Sequence, residues 1–155
     1  MKRASMVILS FWVLLAAVGC SSFRRDARAA MAPGAEAKGI EGYWQGRWYD
    51  LKDTDHGGKL ELVLVRTGDH TYRASTRSHW WKLFRSSYDT TLVLTPTAPG
   101  AYLLQGDEYL WLWGGFTVTG RVDATHFDAV YRSLGHRGAM ELRRGEAAVP
   151  ASAKP

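Results

Sequence analysis

Cysteine is almost absent from this sequence: Cys20 is the single one among 155 residues, so the chain has no internal disulfide. Exported domains of modest size often depend on disulfides, and a domain without them must be stabilised by the burial of apolar side chains alone. A lone cysteine therefore requires an explanation other than a structural disulfide.

Motifs of catalysis and metal binding are also lacking. No serine lies in a Gly-x-Ser-x-Gly elbow, and no nucleophile is paired in sequence with an acid–base group. The histidines form no His-x-His or His-x-x-x-His pair, and each lies at or beside a predicted turn: His56, His70, His79, His126 and His136. We predict a non-catalytic protein with no cofactor and no metal centre, while a zinc site assembled from distant histidines stays open at this stage.

Excess positive charge is absent from the central part of the chain. The whole sequence carries a formal charge of +5, but residues 41–144 hold thirteen Lys and Arg against twelve Asp and Glu, a difference of +1. Nucleic-acid-binding domains cluster Lys and Arg on a folded face. We therefore exclude nucleic acid as a partner and assign the surplus to export and to contact with anionic lipid.

The first twenty residues contain a long apolar run. Lys2 and Arg3 give a positive start, and residues 6–18 are uncharged and mostly apolar. This pattern is typical of a secretory signal peptide, and the run is too short for a comfortable membrane span. We expect residues 1–19 to be a signal peptide.

The end of that run, Ala17-Val18-Gly19-Cys20, resembles the bacterial lipobox. In lipoproteins of that kind the cysteine is acylated, with chains such as palmitate, and becomes the new N-terminus. The resemblance implies a Cys20 that anchors the protein firmly in a membrane, since two lipid chains already give stable anchoring. It also implies the bacterial cell envelope. Because Ser21 is not the aspartate that acts as a retention signal in enteric bacteria, we expect the periplasmic face of the outer membrane.

The segments on either side of residues 41–144 are predicted to lack structure. Both are rich in alanine, glycine, proline and charged residues, and neither shows an apolar face that recurs at helical or strand spacing. We interpret residues 20–40 as the lipidated cysteine with a flexible tether and residues 145–155 as a disordered tail. Residues 41–144 are then the folded domain.

Within that domain, apolar and polar residues alternate and helical periodicity is missing. In KLELVLVR (59–66), for example, the three leucines fall on one face. Turn residues such as Gly57-Gly58, Pro99-Gly100 and Gly114-Gly115 separate such runs. The pattern predicts an all-β fold: a small antiparallel up-and-down β-barrel of about eight strands, whose closure removes exposed edges.

The stretch GYWQGRW (42–48) begins this domain with Gly42, Trp44, Gly46 and Trp48 at alternate positions. On a tightly curved sheet we expect both tryptophans to point inward. Gly46, which has no side chain, is expected to leave the space that they need.

Gly42-x-Trp44 on the first strand, together with Arg143 or Arg144 on the last, resembles the lipocalin and calycin signature. In that family the tryptophan plugs the closed end of the barrel, and the basic residue packs across it as a cation–π contact. The resemblance implies a lipocalin-like barrel, although this domain is shorter than a usual lipocalin and has no C-terminal helix.

Tryptophan is unusually frequent, with six of its seven copies in residues 41–144. In EYLWLWGG, Tyr109, Trp111 and Trp113 share one face, while in SHWWKLF the consecutive Trp80 and Trp81 cannot both point into one core from a regular strand. We interpret the four tryptophans either as residues that close one end of the barrel or as a contact patch for an apolar ligand, a bilayer or a protein partner.

Two functions fit these features. The first is a lipid-anchored envelope barrel that binds a small apolar ligand near Trp80, Trp81 and Trp111. The second is a protein–protein interaction or inhibitor module of the cell envelope with a filled barrel. Because a barrel of about eight strands has room for side chains or for one small ligand, the volume of its cavity separates the two hypotheses.

Overall fold

The structure is a computed structural model that describes residues 21–35, 38–80, 84–110 and 114–145. Within these residues one helix, α1 (Ser21–Ala30), precedes eight strands. The strands are β1 (Gly42–Asp50), β2 (Gly57–Arg66), β3 (Thr71–Trp80), β4 (Phe84–Ala98), β5 (Ala101–Leu110), β6 (Gly114–Val122), β7 (His126–Ser133) and β8 (His136–Arg144).

The strands form a closed antiparallel barrel in which each pairs with its sequence neighbours and β1 pairs with β8. On the two sides of β1, Trp44 lies opposite Leu62 of β2 and Arg144 of β8. Alternate residues of each strand point inward, as a closed sheet requires. The predicted up-and-down barrel of about eight strands is confirmed.

The connections between strands lie at two opposite ends of the barrel. We call one end the closed end; it carries the loops at residues 67–70, 99–100 and 123–125. We call the other the open end; it carries the loops at residues 51–56 and 134–135 and the strand ends at Trp80, Phe84, Leu110 and Gly114.

Apolar side chains fill the closed half of the barrel. Trp44 is completely buried, and its Nε1 donates a hydrogen bond to the carbonyl of Ile40 at 3.1 Å. Phe127 packs beside it with the two ring centroids 6.1 Å apart. The surrounding core residues are Leu62, Leu64, Leu92, Leu94, Leu104, Val118, Val122 and Leu142. Burial of this cluster replaces the disulfides that the chain lacks.

Gly46 has a different role from the predicted one. A Cβ at this position would lie 2.7 Å from Leu142 Cα and against the carbonyl oxygen of Glu141, whereas no tryptophan atom is among its nearest neighbours. The missing side chain therefore lets the β8 backbone approach β1 closely where the barrel closes, and it does not make room for Trp44 or Trp48.

Residues 21–30 form a helix, which corrects the prediction of a flexible tether for this part of residues 20–40. Phe23 and Ala27, one helical turn apart, are buried against Val63 on the outer wall of the barrel, and Met31 continues the same face. The spacing is helical, but alanine adds little hydrophobicity and arginines flank it, so the periodicity is weak in the sequence.

Polar contacts fix α1 on the outer face of β3. Asp26 Oδ2 accepts hydrogen bonds from Arg73 Nη2 at 2.8 Å and from Ser75 Oγ at 3.3 Å. The Arg77 guanidinium carbon lies 4.1 Å from the ring centroid of Phe23. The helix is thus held by an apolar contact, an ion pair and a cation–π contact.

β4 and β5 separate toward the open end. Their ladder runs from Ala98 and Ala101 to Val93 and Gln105, and no described pair joins residues 84–92 to residues 106–110. Glu108 partly bridges the gap, since its Oε2 accepts the backbone N–H of Thr91 at 2.9 Å. We call residues 84–92 and 106–110 the seam, where backbone groups have no ladder partner across the wall of the barrel.

Candidate ligand cavity

A cavity of about 230 Å³ occupies the open half of the barrel, above the packed core. Buried Leu60, Phe116 and Met140 line its inner part, and exposed His56 and Leu134 line its mouth. The interior is therefore filled in its closed half and hollow in its open half, and neither of the two alternatives for the interior applies to the whole barrel.

A second hollow, of about 480 Å³, lies outside the barrel between α1 and the outer wall. It is a shallow groove whose walls include Arg24, Glu61 and Arg77. Ligand pockets are usually concave and mostly apolar with a few polar groups. The cavity inside the barrel fits that description better than the charged groove does.

Two stacked indoles form one wall of the cavity. The ring centroids of Trp48 and Trp80 lie 4.4 Å apart with an angle of 44° between the planes. Trp48 Nε1 donates to the carbonyl of His79 at 3.3 Å, and Trp80 Nε1 donates to Ser78 Oγ at 2.9 Å. Because the protein satisfies both indole N–H groups, these residues offer the cavity their apolar ring surfaces.

Three further aromatic rings form the opposite side. Phe116 stacks on Tyr131 with centroids 6.0 Å apart and meets Tyr88 edge-on at 5.9 Å. Burial raises the pKa of Tyr88 well above its ordinary value, and the neighbouring Tyr131 adds to the shift. Burial and then the charge of Asp50 raise the pKa of Tyr131 to about 12. Both hydroxyls therefore stay neutral at any physiological pH.

Charged groups are found at the mouth of the cavity. Asp50 Oδ1 accepts the backbone N–H of Lys52 at 2.7 Å, and its Oδ2 lies 3.6 Å from His136 Nδ1. The Lys52 N–H is the main cause of a lowered pKa at Asp50, and His136 adds to it. A ligand in the inner part would thus meet neutral groups, and a polar head at the mouth would meet Asp50 and His136.

Leu134 closes part of the mouth in an unusual conformation. It has a positive φ of 48° and is followed by Gly135 with a φ of 77°, as in the type I′ hairpin loop. That loop favours asparagine or aspartate at its first position, because the left-handed region is costly for a leucine. The side chain is largely exposed and approaches Gly114 across the mouth.

The aromatic and basic residues of the lipocalin-like signature meet at the closed end. The guanidinium carbon of Arg144 lies 4.9 Å from the ring centroid of Trp44, and the nearest atoms to a Cβ at Gly42 belong to Arg144. Arg143 points outward instead, with Nη1 3.3 Å from Asp128 Oδ1. Of the two candidate arginines, Arg144 therefore makes the contact with Trp44.

The predicted patch residues are only partly described. Trp80 lines the cavity, half-buried, whereas Cys20, Trp81, Trp111 and Trp113 lie outside the described residues. The cavity also uses residues that the sequence did not single out: Tyr88, Phe116 and Tyr131. Each of these lies on the inward-facing side of its strand, so an assignment of faces to every strand could have found them.

Two kinds of feature are not found in residues 21–35, 38–80, 84–110 and 114–145. No three His, Cys, Asp or Glu side chains in those ranges converge to hold a metal ion. In the same ranges, no helix is both long enough and apolar enough to cross a membrane.

Comparisons with protein-family models, with curated proteins and with solved structures found no match to this chain.

Proposed function

We propose that this protein is a non-catalytic, lipid-anchored barrel of the bacterial cell envelope that binds a small apolar ligand in the cavity of its open half. The observation that carries the proposal is a cavity of about 230 Å³ with aromatic walls and neutral hydroxyls above a packed core. An apolar cavity of about 150 Å³ is enough to bind benzene. A ligand of one or two rings or a short acyl chain therefore fits the space.

The anchor in this proposal is Cys20, on the strength of the apolar run before it and its resemblance to a lipobox. Cys20→Ala is expected to leave an uncleaved precursor or a soluble protein, measured by detergent phase partitioning and by the mass of the mature chain. Unchanged partitioning of the variant would remove the lipid anchor from the proposal.

Ligand binding is tested by filling the cavity. Leu60→Trp places a larger side chain in the inner cavity, and Leu103→Trp makes the same change at an exposed position of β5 as a matched control. A fluorescent single-ring or naphthalene-type probe is expected to bind the wild type and the control. Leu60→Trp should lose most of that binding while keeping a cooperative melting transition.

Equal binding of the probe by both variants would contradict the cavity as the binding site. Indole N–H signals in NMR give an independent measurement, since Trp48 and Trp80 should shift on titration and Trp44, in the closed half, should not.

The alternative of an interaction module is supported by a different feature, the seam between β4 and β5. Its backbone groups without ladder partners could receive a strand from another envelope protein. A partner bound in this way would slow hydrogen exchange at the backbone amides of residues 84–92, whereas a ligand in the cavity would protect the inward side chains and leave that edge unchanged.

A further inference from the structure

The docked helix determines which end of the barrel lies nearest to Cys20. On β3, which runs from the closed end at Thr71 to the open end at Trp80, Arg77 lies one step nearer the open end than Arg73 does. Phe23 of α1 contacts Arg77, and Asp26, which follows it, pairs with Arg73. The N-terminus of α1 therefore points toward the open end.

A lipid on Cys20 would be close to this end because little chain separates the two. Phe23, three residues after Cys20, is already buried against the barrel. Three residues span about 10 Å at full extension. An anchor at Cys20 would hold the barrel next to the membrane, with the open end nearer to the bilayer than the closed end.

Large exposed apolar side chains concentrate at the same end. Those at the open end are Leu51 (42% exposed), Phe84 (66%), Tyr109 (77%) and Leu134 (63%), which we call the rim. The described loops of the closed end, such as Gly68-Asp69-His70 and Asp123-Ala124-Thr125, carry none. Exposed apolar groups gathered at one end of a domain are typical of a surface that contacts a membrane or another protein.

Leu134 gives an independent reason to assign a role to the rim. A leucine at φ 48° is strained where asparagine would be accommodated, yet its side chain is mostly in water. Strain at an exposed position provides no stability and points to a contact made outside the domain.

Charge next to the anchor favours an anionic lipid surface as that contact. Arg24, Arg25 and Arg28 are exposed on α1, and the single acidic residue of the helix, Asp26, is paired with Arg73. Each Lys or Arg near an anionic leaflet contributes to attraction.

We propose that α1 is a strut that docks the open end of the barrel, through its rim, on an anionic bilayer surface, so that the mouth of the cavity faces the lipid. This inference rests on the lipid anchor of the proposed function. The mouth, the rim and the start of the helix then all meet one surface, and an apolar ligand can pass between bilayer and cavity without crossing bulk water.

The test uses the full-length acylated protein in vesicles of phosphatidylethanolamine and phosphatidylglycerol that contain brominated lipid. Because Cys20 is acylated, a single introduced cysteine can carry an NBD fluorophore. Leu134→Cys and Tyr109→Cys place it on the rim, and Asp69→Cys and Ala124→Cys place it at the closed end as matched controls. The brominated lipid is expected to quench the two rim labels strongly and to leave the two control labels unquenched.

Two outcomes overturn the inference in distinguishable ways. A protein that does not stay with the vesicles overturns the anchor and this inference with it. A protein that stays with the vesicles but shows equal quenching at both ends overturns the docking alone.

A second experiment tests the strut itself. The double variant Phe23→Ala, Asp26→Ala removes the contacts that hold α1 to the barrel, and Arg25→Ala changes an exposed residue of the same helix as a control. With the Leu134→Cys label, the double variant should remain on the vesicles but lose most of the quenching. Quenching that persists would show that the helix does not orient the barrel.

Discussion

The guanidinium of Arg144 lies over the indole of Trp44, with Cζ 4.9 Å from the ring centroid, and each residue also binds the chain just before β1. Arg144 Nη2 donates to the carbonyl of Gly39 at 2.7 Å, and Trp44 Nε1 donates to the carbonyl of Ile40 at 3.1 Å. The pair thus joins the last strand, the first strand and the segment that enters the barrel at its closed end. Burial lowers the pKa of Arg144 without changing its charge at physiological pH.

Replacement of Trp44 tests the importance of this end for stability. Because the ring is completely buried, Trp44→Ala should lower the free energy of unfolding by about 3–5 kcal/mol, the usual range for a large aromatic residue in a core. Urea denaturation followed by circular dichroism measures it. A loss below about 1 kcal/mol, the size of a surface substitution, would contradict a structural role for this residue.

The two neighbouring arginines provide a matched pair of variants. Arg144→Leu removes the contact with Trp44, and we expect it to cost about 1–2 kcal/mol. Arg143→Leu removes an exposed ion pair with Asp128, and we expect it to cost less than about 1 kcal/mol. A double-mutant cycle with Trp44→Leu isolates the interaction, and equal effects of the two arginine variants would contradict it.

Gly46 should not tolerate even one added carbon. Its Cβ would meet the β8 backbone, so Gly46→Ala should destabilise the barrel by about 1–3 kcal/mol, as overpacking does. Gly115→Ala, where no atom lies within 4 Å, is the control and should have little effect. Thermal melts of the two variants give the comparison, and similar melting temperatures would show that β1 and β8 can move apart easily.

Leu134→Asn should make the domain more stable. Asparagine accepts the left-handed conformation at this position, so the variant should gain about 1 kcal/mol. Leu134→Ala, which shortens the side chain but keeps the strain, should not show that gain. If Leu134→Asn also weakens quenching by lipid, stability and surface contact are separated at one residue, whereas a loss of stability would contradict the strain.

Asp123 should make the stability depend on acid pH. The backbone N–H groups of Thr125 and then of His126 lower its pKa to about 2. Because an aspartate in the unfolded chain has a pKa near 3.9, its contribution is complete above about pH 4 and is lost as the pH falls to about 2. The melting temperature of the wild type should therefore decrease more steeply across that window than that of Asp123→Asn. Parallel curves would contradict this assignment.

The barrel could be predicted because local rules determine most of it. Alternation on every strand and glycine at the hairpins indicate consecutive antiparallel pairs, and the model contains those pairs from β1 to β8. The contact of Trp44 with an arginine of the last strand followed from the resemblance, but the choice of Arg144 over Arg143 needed the register. Arg144, and not Arg143, lies directly opposite Trp44 and on its face of the sheet.

The cavity and the helix could not be predicted because both depend on distant parts of the chain. Phe116, Tyr88 and Tyr131 come from three strands, and only barrel closure brings their rings together. The helix is stabilised by tertiary contacts, such as that of Asp26 with Arg73, and short helices gain little from propensity alone. The seam escaped notice for the same reason, since alternation predicts strands and not where a ladder stops.

The pairing of β1 with β8 also has a kinetic consequence. Every other ladder joins consecutive strands, whereas Trp44 pairs with Arg144, about 100 positions later in the chain. Loops of that length close slowly because the entropy must be lost before the contact forms. The hairpins can therefore assemble one after another as an exported chain emerges, but the ring stays open until its last strand arrives. Amide exchange should find its earliest sub-global opening along this same line.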